Sequence, residues 1–327
     1  MKSTYYDYLR SLTKEQLIDL IYKPYKKRGE YPAISKRKVA LRLSYHGENY
    51  KGVQHYKHLK SVHDCLQNAL KVSGIGDGIV FCGRTDAGVS AINMVVSVEV
   101  NSRLENPNRS YQIIESDHEE YPYDVALNML LPDDIRITGW APVPDNFNAR
   151  YDCIQRHYKY FFALGSLDLK KMEEAVEKIC QMDDFYHLST HSNPKAIYKR
   201  KISEIKIHKV SMQTSLVKMG LTNNAGGNSF SLDDDLYSLD IKAGGFLHNM
   251  VRKIFWVVQR CGKGNPFTLK NVEIADSTPL VFVGAKYRED LNFLGNRYSE
   301  VQFQREASIA KIRAAVSQLR LDTYKLK

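Results

Sequence analysis

The segment Cys82-Gly83-Arg84-Thr85-Asp86-Ala87-Gly88-Val89-Ser90-Ala91 places a carboxylate and a guanidinium two positions apart in a stretch bracketed by glycines. Gly83 and Gly88 permit backbone geometries that residues with a Cβ resist, so the loop can turn tightly and let a ligand come close. The plainer alternative is a turn with Asp86 as its turn residue and Arg84 in solvent. A phosphate-binding loop does not fit, because Val89-Ser90 stands where that motif needs Lys followed by Ser or Thr. The other reactive types are scattered. Cys65, Cys82, Cys153, Cys180 and Cys261 form no C-x-x-C pair and are odd in number, so neither a disulfide framework nor a zinc site is expected. They read as small buried apolar side chains. His46, His55, His58 and His63 make a loose cluster in which no spacing or acidic partner suggests metal ligation, and they are assigned no role.

The elements around the Asp86 loop can be read from hydrophobic period. Val39, Leu41, Leu43 and Tyr45 alternate as in a half-buried strand, and Val62, Cys65, Leu66, Ala69 and Leu70 recur at helical spacing. A short apolar strand, 79–81, then leads into the loop, and Met94, Val96, Val98 and Val100 leave it as a second alternating strand. Residues 102–120 are polar and aperiodic, which predicts a mobile insertion. A helix near 124–131 and a strand through Ile135 and Ile137 close the first half. The second half repeats the rhythm. It begins with an aromatic-rich strand at 157–163 and an amphipathic helix with Leu169, Met172, Val176 and Ile179. Strands near 201–210 and 236–241 follow, separated by a loop at 223–228. A helix after Gly244-Gly245 carries Leu247, Met250, Val251, Ile254 and Val258, and a last one carries Ile309, Ile312, Val316 and Leu319. Strands mixed with helices, without regular βαβ spacing or a dinucleotide glycine signature, predict an α+β fold whose two domains meet at a cleft. The expected divisions are an N-terminal helix and basic linker at 1–37, a first domain at 38–145, a second at 146–299 and a C-terminal helix at 300–327. Thr13-Lys14-Glu15-Gln16 fits a capping box and starts the first of these helices.

The chain of 327 residues is long enough for two such domains, and 43% hydrophobic with 26% charged residues is a globular composition. No run approaches the ~18 apolar residues a membrane span needs. The start of the chain resembles neither a secretory signal nor a transit peptide, so the expectation is an intracellular protein with no membrane association. Its net charge is +10, with pI ≈ 9.1. Charge alone is a weak warrant for a polyanion partner, but its distribution says more. Lys23, Lys26, Lys27, Arg28, Lys36, Arg37 and Lys38 stand close together with a single acid, Glu30, among them.

Three segments together resemble one family. Gly83-Arg84-Thr85-Asp86-Ala87-Gly88-Val89-Ser90-Ala91 is similar to the signature of the TruA family of tRNA pseudouridine synthases. Arg156-His157-Tyr158-Lys159-Tyr160 matches that family's R-x-Y-x-Y strand, and Phe246-Leu247-His248-Asn249-Met250-Val251-Arg252-Lys253-Ile254 matches its F-L-x-x-M-V-R-x-I helix start. The order of the three is the family's, over roughly residues 38–285. Leu131-Pro132-Asp133-Asp134-Ile135-Arg136 and Phe147-Asn148-Ala149-Arg150 resemble the eukaryotic 38/39-type branch, which modifies the anticodon arm. Ala87, where that branch usually has Lys, and Leu247-His248-Asn249-Met250 depart from it toward the bacterial enzymes.

The resemblance implies a pseudouridine synthase fold with largely antiparallel sheets around a basic catalytic cleft. It implies isomerisation of tRNA uridine to pseudouridine without cofactor or metal. Asp86 would be the nucleophile, a role a carboxylate can fill unaided. Arg252 would pair with Asp86 and oppose the loss of its charge when RNA covers the cleft. Tyr158 would place its ring on the target base and its hydroxyl near the C5 proton. Arg84, Arg156 and Leu247 would contact the substrate. At about 140° from Leu247 on one helix, Arg252 would leave the core-facing stripe while Leu247 packs under the base. Lys26, Lys27 and Arg28, with Lys23, Lys36, Arg37 and Lys38, would add nonspecific phosphate contacts. The resemblance also implies a homodimer, and tRNA as partner implies a cytoplasmic or nuclear location. Two other readings stay open, the same chemistry at other tRNA positions and a non-catalytic RNA-binding module.

Overall fold

The computed structural model describes residues 35–104, 120–191, 197–210 and 235–295, with the single positions 13, 303, 307 and 310. The helix expected from Thr13, Lys26, Lys27 and Arg28, most of the 102–120 insertion, the 223–228 loop and nearly all of the C-terminal helix lie outside the described residues.

The chain runs β1 (Ser35–Tyr45), α1 (Val62–Ser73), β2 (Gly76–Phe81), β3 (Ser90–Ser102), α2 (Tyr123–Asn128), β4 (Ile135–Pro142), β5 (Cys153–Ala163), α3 (Leu169–Cys180), β6 (Ile202–Lys209), β7 (Leu236–Ala243), α4 (Met250–Gly262), β8 (Leu280–Tyr287) and β9 (Leu294–Gly295). The α+β class expected from the sequence is the one observed. All nine strands belong to one sheet in the order β6-β7-β5-β8-β3-β1-β4-β9, with β2 on the flank of β3. The two halves therefore join edge to edge in a shared sheet. Every pairing is antiparallel but one, β3 with β8, where Ser90 pairs with Val281 and Ala91 with Phe282.

Strand β8 has no counterpart in the sequence reading. Its Leu280-Val281-Phe282-Val283 is a four-residue apolar run, too short for period to separate strand from helix. Yet it is the strand that joins the halves. Strand β1 lies inside the sheet between β3 and β4, and Val39, Leu41 and Leu43 on one face and Ala40 on the other are all fully buried.

Helix α1 begins where Ser61 Oγ accepts the Asp64 amide and ends at Gly74 in the left-handed region. Its Val62, Leu66, Ala69 and Leu70 are buried in the core. In the second half, a Cβ at Gly262 would sit 2.7 Å from Met172 Cγ, so the missing side chain lets α3 and α4 close on one another. Tyr160 of β5 stacks on Phe255 of α4 with ring centroids 3.8 Å apart, fixing that helix over the sheet.

Two sequence expectations change here. Leu247 precedes helix α4, which starts at Met250 after Asn249 at φ 58°, so the angular relation between Leu247 and Arg252 on one helix does not exist. Arg37 is buried and its Nη1 lies 3.0 Å from the buried Glu120 Oε2, so it is a core ion pair and faces no phosphate.

Candidate active site

The parallel seam explains where the chemistry-bearing residues meet. The Asp86 loop ends where β3 pairs with β8, and on the other side of β8 Tyr158 of β5 pairs with Phe282. The segment before α4 comes down over the same point. Together they line a cleft of about 910 Å³ that includes Arg84, Asp86, Tyr158, Leu247, His248 and Arg252. Among its described lining residues are five Lys or Arg (Lys51, Arg84, Arg150, Arg156 and Arg252) and one carboxylate, Asp86.

The loop holding Asp86 is built into its neighbours. Thr85 is buried, and its Oγ1 lies 2.8 Å from the Tyr45 hydroxyl. The Thr85 carbonyl accepts the Val53 amide at 3.3 Å, and the Asp86 carbonyl accepts the Val89 amide at 3.2 Å to close the turn. Gly88 adopts φ +83°, and a Cβ there would meet Ser277 Oγ at 2.5 Å, so this position requires glycine twice over.

Arg252 Nη1 lies 3.7 Å from Asp86 Oδ2, with the two side chains 17% and 28% exposed. Arg252 cannot swing freely. Its Nε donates to the Ala275 carbonyl at 2.7 Å and its Nη1 to Asn249 Oδ1 at 2.9 Å. Asn249 is in turn held by donation to Thr190 Oγ1 at 3.0 Å. A second nitrogen approaches from the other side, His248 Nε2 at 3.6 Å from Asp86 Oδ1. Sequence reasoning had no role for His248, Asn249 or Thr85. Of the three only Asn249 left a sign, since Asn tolerates the left-handed conformation, and that sign is readable only once the backbone is known.

Tyr158 is buried to 7% exposure between Phe246 and Phe282, both edge-on at 5.2 and 5.1 Å. Burial, reinforced by nearby Cys82 and Asp86, pushes its hydroxyl well above the ordinary phenol range. It is a neutral phenol at physiological pH. Burial likewise pushes the Cys82 thiol up to about 12, so the cysteine lining the cleft offers no thiolate at neutral pH.

Arg84 is exposed on the cleft surface, free to meet a ligand, and Leu247, half-buried, lines the same cleft. Arg156 also lines the cleft, but its donors are engaged. Nε and Nη2 both reach the Cys82 carbonyl, at 2.9 and 2.6 Å, Nη1 reaches the Gly244 carbonyl at 2.5 Å, and Nη2 the Arg150 carbonyl at 2.9 Å. That arrangement ties the root of the Asp86 loop to β5 and to the approach of α4, a scaffold role the sequence did not suggest.

Residues 182–278 match a family model described as tRNA pseudouridine synthase. A Caenorhabditis elegans protein, "Probable tRNA pseudouridine synthase tag-124", is 30% identical over 72% of this chain and 60% of its own length. The tRNA pseudouridine(38/39) synthase of Saccharomyces cerevisiae is 35% identical over 61% of this chain and 47% of its own. The human protein of the same name is 29% identical over 73% and 50%. The chain thus spans about half the length of the curated relatives it matches. Among the described residues no helix is long and apolar enough to cross a membrane.

Proposed function

We propose that this chain, which carries a TruA-type pseudouridine synthase domain, isomerises uridine to pseudouridine in the anticodon stem-loop of tRNA, at positions 38/39, with Asp86 as nucleophile. The observation that carries the reading is that, among the described residues lining the cleft, a single carboxylate stands amid cationic side chains. A surface that only binds polyphosphate gains nothing from a negative charge at its centre. A reaction that must hold a sugar or base fragment while a bond is remade does need a nucleophile there.

The isomerisation breaks the bond from N1 to C1′ and forms one from C5 to C1′. The proton leaves C5, and N1 gains one, so no oxidant, reductant or hydrolytic water is consumed. Arg252, braced by Ala275 and Asn249, keeps a cation beside Asp86 as RNA closes over the cleft. The target uridine must leave its stack to enter, at a cost of a few kcal/mol. The walls formed by Tyr158, Phe246 and Leu247 offer stacking surface in return. Because Tyr158 is a neutral phenol, its hydroxyl serves as a hydrogen-bonding relay for the C5 proton and not as a phenolate base.

Position-resolved pseudouridine mapping of tRNA treated with the purified protein tests this reading. New pseudouridine at 38 or 39 is expected. Modification confined to other positions would refute the assignment of target, and no modification of any tRNA uridine would refute the activity.

A further inference from the structure

Beside the cleft, the loop 53–60 folds back on the start of α1 and brings two imidazoles to one carboxylate. His55 Nδ1 lies 2.5 Å and His63 Nδ1 3.6 Å from the same atom, Asp64 Oδ1. One donor atom from each of the three side chains lies within 4.8 Å of the other two. The sequence hid this set, because His55 and Asp64 are nine positions apart and meet only through the loop.

The carboxylate is oriented from behind. Ser61, fully buried, donates its hydroxyl to Asp64 Oδ2 at 2.6 Å and accepts the Asp64 amide at 3.1 Å, leaving Oδ1 toward the histidines. An outer hydrogen bond of this kind is what fixes carboxylate ligands at metal sites. His63 Nδ1 is itself buried and has no hydrogen-bond partner among the described residues. Such a nitrogen has lost water without replacement, and a coordinate bond would restore what burial removed.

We propose that His55, His63 and Asp64 bind one divalent transition-metal ion of the Zn²⁺ class. Bonds of ~2.0–2.1 Å in a tetrahedral shell put neighbouring donors about 3.3 Å apart. His63 Nδ1 stands near that distance from Asp64 Oδ1, at 3.6 Å, whereas the 2.5 Å contact of His55 is a hydrogen bond that opens by about 0.8 Å to admit the ion. His55, the most exposed of the three, supplies the small adjustment by rotating. Two imidazole nitrogens favour zinc, cobalt, nickel or copper over magnesium and calcium, which prefer an all-oxygen shell. Three protein ligands leave a fourth position to water. The loop carrying His55 also carries Tyr56 and Leu59, which line the cleft. The ion therefore clips the cleft wall to α1 and takes no part in the isomerisation.

The test uses the full chain freed of metal by chelator and titrated with Zn²⁺, and separately with Co²⁺, whose tetrahedral complexes absorb visibly. Wild type is expected to take up one Zn²⁺ at micromolar concentration, to give the Co²⁺ band, and to show slower hydrogen exchange in residues 53–60 with Zn²⁺. His55→Ala and Asp64→Asn should each weaken uptake at least tenfold and abolish both signals. His55 is exposed and Asp64→Asn keeps an oxygen in place, so both variants remain folded, whereas His63 packs near Phe81 and is a poorer probe. No uptake by wild type, or equal uptake and equal exchange in the two variants, would overturn the proposal. Neither result bears on the pseudouridine reading, which rests on Asp86.

Discussion

Arg156 separates two ideas of what an arginine in this cleft is for. If it is a phosphate ligand, its removal weakens tRNA binding and little else. If it is the strut the geometry describes, its removal loosens the Asp86 loop. Of its four hydrogen bonds, the two on Gly244 and Arg150 are solvent-exposed and are discounted, which leaves the pair on the Cys82 carbonyl. Hydrogen bonds from a charged donor contribute about 1.5–3 kcal/mol each, and because these two share one acceptor and add less than fully, Arg156→Gln should lose about 2–4 kcal/mol of stability. Arg156→Lys should recover no more than half, since an ammonium cannot fork across one carbonyl as a guanidinium does. A displaced loop should also cost turnover, on the order of 10²-fold at saturating tRNA. Chemical denaturation followed by circular dichroism and single-turnover kinetics read the two effects. A stability change under about 0.5 kcal/mol with unchanged turnover, accompanied by weaker binding and a flatter salt dependence, would refute the strut and leave only the phosphate contact.

Tyr158→Phe keeps both aromatic edges of its pocket and removes only the hydroxyl, so the fold and tRNA affinity should hold while single-turnover rate drops at least 10²-fold. At Asp240, burial alone would raise the carboxyl, but hydrogen bonds from His157, Lys159 and Ser238 outweigh it and hold the group at about 2. A depressed carboxyl contributes stability above its unfolded value near 4 and loses it as pH falls toward 2. Asp240→Asn should therefore cost up to about 2 kcal/mol at pH 7, with the gap to wild type closing between pH 4 and 2 in parallel melts. Neutralising Lys23, Lys26, Lys27 and Arg28 together should weaken tRNA binding and flatten the slope of log affinity against log salt by up to ~0.7–0.9 for each phosphate no longer neutralised, with turnover at saturating tRNA unchanged.

What the sequence could and could not say follows from the range of the interactions involved. Strands such as β1 and β3 and helices α1 and α3 are legible because alternation and helical spacing are local patterns, complete within a few residues of chain. The join between the halves is not, because β8 is a short apolar run whose partner β3 lies far away in the chain. The same limit governs the site. Asp86, Arg84, Tyr158 and Arg252 sit in short motifs that can be recognised along the chain. The Thr85 anchor to Tyr45, the Asn249 brace on Arg252 and the nearness of His248 to Asp86 depend on segments that meet only in the fold. Arg37 looks like part of a basic patch because its partner, Glu120, lies 83 positions on.

The central claim is that the one carboxylate among the described residues of the cleft performs the chemistry. The direct measurement is the single-turnover rate of pseudouridine formation by Asp86→Asn and Asp86→Ala on a tRNA that wild type modifies, with tRNA affinity measured alongside. Affinity equal to or slightly tighter than wild type, with no detectable product, is the predicted result, since the change removes a nucleophile and one negative charge from a basic surface. Product formed by either variant within about tenfold of the wild-type rate would contradict the account.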